Sequence, residues 1–389
     1  MRPVHALILP PGPRLLAALE AALDGTGPAI CPLAPTLPRP ALDTLITALA
    51  PDAVEDGSGL RQLTGGVPTL AAVLIATSGS TGIPKIVELS APALLASAAA
   101  TLARVGCPDA SWLCCLPTSH IAGIQTLVRS LVAGTAPVIH PGFSLERTAA
   151  AGPVHVSLVP TQLRRLLEAG KDVSSYASIL LGGAAAPPDL LRTARGQGAR
   201  IFTTYGMSET SGGCVYNGRP LDGVGLEIGG DGRIRLAGPT LFTGYRLRPD
   251  LTSAVRDGDW FVTGDLGTLV DGVLSVRGRA DDVINTGGEK VVAGEVATTL
   301  SRHPLVRDVV VVGRDDAEWG ERVTAIIVAA GPLTLDQVKD WVRAALPAYA
   351  APRELQLLPE IPLLPSGKPD REALRSGGKC PATPANPDG

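Results

Sequence analysis

The sequence predicts an α/β fold in two parts: a large N-terminal α/β domain that ends in a β-meander, and a small C-terminal α+β domain. Three observations carry this prediction. From about residue 73 to 204, short apolar runs alternate with helix-length amphipathic segments, the pattern of parallel strands joined by crossover helices. Between Val224 and Tyr245 the apolar period shortens to two, with Gly229 to Gly232 as a turn between Leu226/Ile228 and Ile234/Leu236. Past Arg279-Ala280-Asp281-Asp282 a shorter set of strands and helices begins again, which divides the chain into residues 1–279, residues 280–375 and a polar, Pro/Gly-rich tail at 376–389 that reads as disordered.

The whole chain sets limits on function. At 389 residues it is long enough for more than one core. Lys plus Arg number 34 against 37 Asp plus Glu, so the charge balance calls for neither nucleic acid nor an anionic membrane surface. Gly and Pro, 45 and 35 residues, stay below the share of about a quarter that marks disordered chains. The six cysteines form no CxxC pair and have no histidine at metal-ligand spacing, which fits reduced thiols in a cytoplasmic protein. Pro10, Pro11 and Pro13 break the apolar N-terminus and argue against a signal peptide, and no apolar run reaches the roughly 18 residues of a membrane span.

Residues 1 to about 70 alternate apolar segments with proline-rich breaks such as Pro32 to Pro40 and carry no chemistry of their own, like trimmed scaffold. Val73 to Ala76 reads as a buried strand that opens into Thr77-Ser78-Gly79-Ser80-Thr81-Gly82-Ile83-Pro84-Lys85. Glycines let the backbone approach an anion, hydroxyls add donors, and Lys85 adds a charge, so the stretch has the make-up of a phosphate cradle. It is not the P-loop of NTPases, because Pro84 precedes the lysine and Ile86 follows it. Next come a helix at Ala91 to Ala103, a strand at Trp112 to Leu116, and a helix from Ile124 to a glycine stop at Gly134. Strands at Val154 to Val159, Ile179 to Leu181 and Ile201 to Thr204 then alternate with helices at Thr161 to Glu168 and Pro188 to Ala194, arguing one parallel sheet with ligand loops at its strand ends. In the small domain the pattern gives a Gly-rich turn at Thr286 to Glu289, a helix from about Glu295, β segments at Val309 to Val312 and Val323 to Val328, and a helix at Leu335 to Leu346 capped by Thr334 and stopped by Pro347.

The wording of the loop at 77–85 resembles the signature of the adenylate-forming superfamily, which includes acyl-CoA synthetases, adenylation domains of peptide synthetases and luciferases. Further segments resemble that superfamily in the expected order. Gly182-Gly183-Ala184 is similar to one wall of its adenine slot, and Thr204-Tyr205-Gly206-Met207-Ser208-Glu209 to the motif whose ring stacks on adenine and whose glutamate holds Mg2+. Alone, Glu209 would be a solvated surface acid. The resemblance also makes Asp265 the acid that accepts both ribose hydroxyls, Arg279 a ribose or phosphate contact, Asp281 a hinge, and Gly287, Gly288 and Lys290 a loop facing the thiol acceptor. Lys368, in Leu364-Pro365-Ser366-Gly367-Lys368, resembles the catalytic lysine; without that wording it would be solvated charge in a turn. No single segment is decisive, but the ordered set, covering about residues 73 to 375, is specific.

The fold implied is that of adenylate-forming enzymes, with ATP, Mg2+ and coenzyme A as cofactors or co-substrates and a small carboxylic acid as partner. The short N-terminus and the run from His120 to Gly134 are similar to the o-succinylbenzoate–CoA ligases of menaquinone biosynthesis. In that family an arginine nine residues after the histidine helps bind the dicarboxylate, which assigns His120 to catalysis and Arg129, with Gln125 and Thr204, to the acid. An arginine on a helix surface is the plain alternative, although the flanking leucines and valines bury much of this helix, and a buried arginine wants an anion. Other readings stay open: a ligase for another aryl or short acyl acid, an adenylation domain loading a carrier protein, or a non-catalytic nucleotide-binding relative. A homodimer is compatible with any of them.

Overall fold

The structure is a computed structural model that describes residues 1–77, 84–363 and 369–377. Most of the expected tail, from residue 378 on, lies outside the described residues. The large N-terminal domain holds two seven-stranded sheets where the sequence pattern argues one. The first runs, edge to edge, Gly244–Tyr245, Lys85–Leu89, Val73–Thr77, Ala29–Pro32, Val4–Leu7, Ala53–Asp56 and Gly59–Gln62. The second runs Arg219–Pro220, Gly212–Tyr216, Ile201–Met207, Ser178–Leu181, His155–Leu158, Trp112–Cys114 and Val138–Ile139. The central strands of each are parallel; antiparallel pairs close both edges of the first sheet and the Arg219–Pro220 edge of the second, whose other edge strand, Val138–Ile139, is parallel to Trp112–Cys114.

The helices Ala91–Val105 and Ile121–Ala133 pack on each other, and one apolar core reaches from Ile75 and Leu89 through Leu94, Ile124 and Leu127 to Trp112 and Tyr216. A helix buried on nearly every side belongs between layers, and residues 123–130 of the second helix are all buried. Ser90 starts the first helix by accepting from the Ala93 N–H (3.2 Å), and Gly134 stops the second in the left-handed conformation.

Two further expectations need correction. Residues 1–70 are not residual scaffold: Val4–Leu7, Ala29–Pro32 and Ala53–Asp56 pair in parallel, with helices Pro13–Asp24 and Arg39–Leu49 between them. Their strands are only four residues long and Pro-bounded, so the β period hardly shows. Arg246, almost fully buried, ties this unit to the rest: Nε donates to the Leu49 carbonyl (3.0 Å), Nη2 to those of Ala50 and Val67, and Nη1 faces Glu88. The meander is also placed differently. Gly225–Ile228 and Arg233–Ala237 form the expected hairpin, but Gly244–Tyr245 leaves it to pair with Lys85–Leu89; the meander continues instead through Trp260–Val270 and Val273–Arg279.

The smaller C-terminal domain is a five-stranded sheet, Glu289–Val292, Val283–Thr286, Gly320–Ala329 and Val306–Asp316, with Glu354–Leu357 added parallel to Gly320–Ala329. Strand alternation sends Val311 to the face covered by helices Ala293–Leu300 and Leu335–Arg343, and Val310 and Val312 to the face covered by Ile361 and Leu374. Thr334 caps the second helix in a reciprocal box with Gln337.

Candidate active site

The strands Val73–Thr77 and Lys85–Leu89 are antiparallel, with Thr77 opposite Lys85, so the phosphate-cradle stretch connects the two arms of a hairpin. Ser78, Gly79, Ser80, Thr81 and Gly82 lie outside the described residues. At the base of the hairpin, Thr77 Oγ1 donates to the Lys85 carbonyl (3.0 Å), and the Lys85 ammonium stands 5.7 Å from the centre of the Tyr245 ring. Tyr245 in turn donates its hydroxyl to Glu209 Oε1 (2.8 Å). Burial first, and then the Glu209 charge, push the Tyr245 phenol well above its ordinary range, so it remains a donor.

Glu209 sits on the 3-10 turn Ser208–Thr210 that follows Tyr205-Gly206-Met207. The Met207 N–H donates to Thr210 Oγ1 (2.9 Å), which fixes that turn. Gly206 is required sterically, since a Cβ there would overlap the Gly212 carbonyl where the strand doubles back. Among the described residues no group of three or more His, Cys, Asp or Glu could cage a metal. One braced carboxylate suits magnesium that arrives with a triphosphate, because such an ion keeps phosphate and water oxygens as its other ligands.

The end of Ser178–Leu181 and the middle of Ile201–Met207 lie side by side, Leu181 opposite Thr203, which brings Gly182-Gly183-Ala184 beside Thr204 and Tyr205. Thr204 Oγ1 is 3.4 Å from the Leu181 carbonyl, and a Cβ on Gly182 would overlap that hydroxyl. Leu181, Ala184, Thr204, Tyr205, Val215 and Val276 line a cavity of about 160 Å³ here. Its apolar walls and the Tyr205 ring suit a flat heterocycle. Tyr205 donates to Asp265 Oδ2 (2.8 Å), while Arg279 Nη1 stands 3.5 Å from Oδ1. The Asp265 side chain is only 13% exposed, yet each oxygen keeps a lone pair for one hydroxyl of a vicinal diol. Arg279 also grips Asp281 in a two-pronged pair (2.9 and 2.8 Å), which lowers the Asp281 carboxyl below its usual range.

His120 is the N-cap of the helix Ile121–Ala133, its N–H on the Pro117 carbonyl (3.1 Å). Gln125 and Arg129, four apart, share a helix face. Gln125 is fully buried and donates Nε2 to the Leu94 carbonyl (3.2 Å), leaving Oε1 unpartnered. Arg129 is 3% exposed, its guanidinium 5.0 Å from the Trp112 ring centre and Nη1 3.5 Å from Ser157 Oγ. Its Nε has no hydrogen-bond partner, and among the described residues no carboxylate pairs with it. Burial pulls its pKa down, but a guanidinium stays charged.

Behind Trp112 the ring of His155 is stacked at 4.6 Å. His155 Nε2–H donates to the Cys107 carbonyl (2.9 Å), and Nδ1 accepts from Ser178 Oγ (2.7 Å). Burial holds this imidazole neutral, below its ordinary 6.5. A histidine with a depressed folded pKa stabilises fully above the unfolded value, and that stability drains away as pH falls below about 6.5. Thermal unfolding should therefore give a Tm that declines from pH 7 to pH 5 less steeply in His155→Gln than in the parent; equal slopes would contradict the assignment.

Gly287 and Gly288 form the two-residue turn between Val283–Thr286 and Glu289–Val292, both at positive φ (59° and 84°), as such a turn requires, and Lys290 beside them is exposed. Lys368 lies outside the described residues, but Leu363 and Pro369 on either side of its segment form an antiparallel bridge. Cys31, Cys114, Cys115 and Cys214 are buried with thiols pushed up to about 12, which leaves them without nucleophilic character. Sequence reasoning missed Tyr245, Trp112 and Ser157. Each reaches the site from a separate element, and no local wording marks it.

A hairpin opening on a lysine, a carboxylate held by a tyrosine, and an apolar slot closed by a half-buried acid make the frame of an AMP-binding enzyme, and the chain belongs to that family. The family model of AMP-binding enzymes matches residues 48–246, and that of their C-terminal domain residues 295–368. The chain is 39% identical over 392 residues to a probable 2-succinylbenzoate–CoA ligase of Mycobacterium tuberculosis, covering 95% of this chain and 97% of that one. It is 34% identical to the 2-succinylbenzoate–CoA ligase of Escherichia coli, covering 90% and 82%. In shape it is similar to the o-succinylbenzoate CoA synthetase of Bacillus subtilis solved with its acyl-adenylate, with a TM-score of 0.82, 27% identity and coverage of 96% and 88%. An amide bond synthetase of Marinactinospora thermotolerans superposes with a TM-score of 0.86 at 26% identity, covering 97% and 90%. Among the described residues no helix is long and apolar enough to cross a membrane.

Proposed function

We propose that this protein is an ATP-dependent acid–thiol ligase that converts o-succinylbenzoate to o-succinylbenzoyl-AMP with release of pyrophosphate, then to the coenzyme A thioester with release of AMP. Shape alone does not separate a thiol acceptor from an amine, since relatives of both kinds superpose equally well. The relatives with the higher identities, which match over most of the chain, favour the thiol. The observation that carries the choice of acid is Arg129, a buried cation without a carboxylate partner among the described residues, on the helix that His120 caps. Such a charge is stabilised once an anion arrives, and o-succinylbenzoate brings a second carboxylate that a monoacid lacks.

In the first half-reaction one of the two carboxylates of o-succinylbenzoate attacks the α-phosphate and pyrophosphate leaves. Tyr205 and Asp265 hold the adenosine and Lys85 faces the phosphates; Glu209 would hold Mg2+, which would supply charge neutralisation for the leaving pyrophosphate. Lys368 bridges the two reacting anions. Asp281 serves as the pivot, and the turn at Gly287-Gly288 with Lys290 faces the incoming thiol in the second half-reaction. We place the enzyme in the cytoplasm, as a monomer or homodimer, and assign Gln125 and Thr204 to the acid pocket.

Arg129→Ala is expected to raise the KM for o-succinylbenzoate by roughly thirtyfold, about 2 kcal/mol, the scale of a charge-assisted pair losing one partner. With benzoate the change should be severalfold smaller. Steady-state kinetics on both acids checks this, and equal losses would mean that Arg129 supports only the fold.

A further inference from the structure

The helix Arg371–Arg375 begins three residues after Lys368 and turns both of its arginines toward one acid. Asp282 Oδ1 accepts from Arg375 Nη2 at 2.8 Å, and Oδ2 lies 3.1 Å from Arg371 Nε. Asp282 is next to Asp281 on the short turn Ala280–Asp282, and its side chain is only 15% exposed. Asp281 itself is taken by Arg279, so the neighbouring acids divide three arginines between them. The helix is anchored on its other flank as well: Arg371 Nη2 donates to the Val311 carbonyl (3.0 Å), and Leu374 is buried against Val310, Val312 and Ile326. Just ahead of it, the Asp370 N–H reaches the Pro362 carbonyl (2.9 Å), and Leu363 bridges Pro369. Leu363 and Pro369, which flank positions 364–368, thus belong to a base that is tied to the turn at 280–282.

We propose that Asp282 is a positioning residue for adenylation: by clamping Arg371 and Arg375 it fixes the base of the Lys368 segment to the turn beside Asp281, so that the lysine is delivered in register when the small domain pivots. This rests on the function proposed above. Two guanidiniums sharing one carboxylate repel each other once its charge is gone, and the Arg371 Nε that faces Asp282 is buried, although the rest of that side chain is partly exposed. The helix has only five residues and little stability of its own, so it should loosen. Displacement of a reacting group by a fraction of an ångström lowers a positioning-dependent rate steeply, whereas thiol attack on acyl-AMP does not use the lysine.

The test compares Asp282→Asn and Arg375→Ala with the parent chain in two arms. In the first, o-succinylbenzoyl-AMP formation from ATP should fall about tenfold or more in Asp282→Asn and less in Arg375→Ala, with KM for ATP unchanged. Conversion of supplied acyl-AMP plus coenzyme A to thioester should stay within about twofold. The second arm needs no activity. Limited trypsin digestion should cut the Arg371–Glu372 bond of both variants faster than that of the parent, under conditions where Tm shows the large domain intact. Equal losses in both half-reactions, or unchanged cleavage at Arg371, would overturn the clamp. A parent chain that makes no acyl-AMP from o-succinylbenzoate would instead refute the proposed function, while the digestion arm would still decide the clamp.

Discussion

Lys368→Ala is expected to slow acyl-AMP formation by about a hundredfold to a thousandfold, the loss typical of removing one preorganised charge donor from a developing oxyanion. The second half-reaction should be spared. Purified variant mixed with synthetic o-succinylbenzoyl-AMP and coenzyme A should yield thioester at nearly the parent rate, followed by chromatography. A bulky residue at Gly288 should reverse the pattern, because that turn, exposed and at positive φ, belongs to the thiol step in the proposed division of labour. A Lys368 variant equally slow in both steps would mean that one domain orientation serves both reactions.

Asp265→Ala should have the next largest effect, and chiefly on nucleotide binding. Two hydrogen bonds from ribose hydroxyls to a carboxylate, each worth about 1.5–3 kcal/mol, would disappear together, and Tyr205 and Arg279 would lose a partner. The KM for ATP should rise by roughly a hundredfold or more, with a smaller change in KM for the acid. Asp265→Asn separates charge from shape. It can still accept from Tyr205, so it should fall between the parent and the alanine variant. Unchanged ATP kinetics in Asp265→Ala would remove this residue from the ribose site.

The sequence and the structure agree best where a backbone device is written in consecutive residues. The strand end at Leu181 before Gly182-Gly183-Ala184 and the turn at Gly287-Gly288 could be read from their order, because each is a local feature with its own glycines. Two helix ends were legible for the same reason: Thr334 and Gly134 act on backbone groups within four residues of themselves.

Features assembled by topology were not legible. Tyr245 supports Glu209 only because Gly244–Tyr245 leaves the meander and joins the first sheet, a choice that the period-two pattern around it does not express. The parallel unit at residues 4–56 escaped notice because its strands are short and bounded by prolines, and they pair only across chain distances of twenty or more. That two sheets form, not one, follows from the burial of the helix Ile121–Ala133 on nearly all sides, which the leucines and valines around Arg129 suggested without saying what would cover them. The surroundings of Arg129 were hidden in the same way. Trp112 and Ser157 stand on two neighbouring strands, and they define a lone buried cation only after the sheet has brought them together.

The most direct test of the central claim is ATP–pyrophosphate exchange, measured with no acid, with benzoate and with o-succinylbenzoate, followed by addition of coenzyme A. The account predicts exchange that depends on o-succinylbenzoate, is weak with benzoate, and is drained into thioester and AMP when coenzyme A is supplied. Exchange that is equal for both acids, or an acyl-AMP that accumulates unchanged in the presence of coenzyme A, would contradict it.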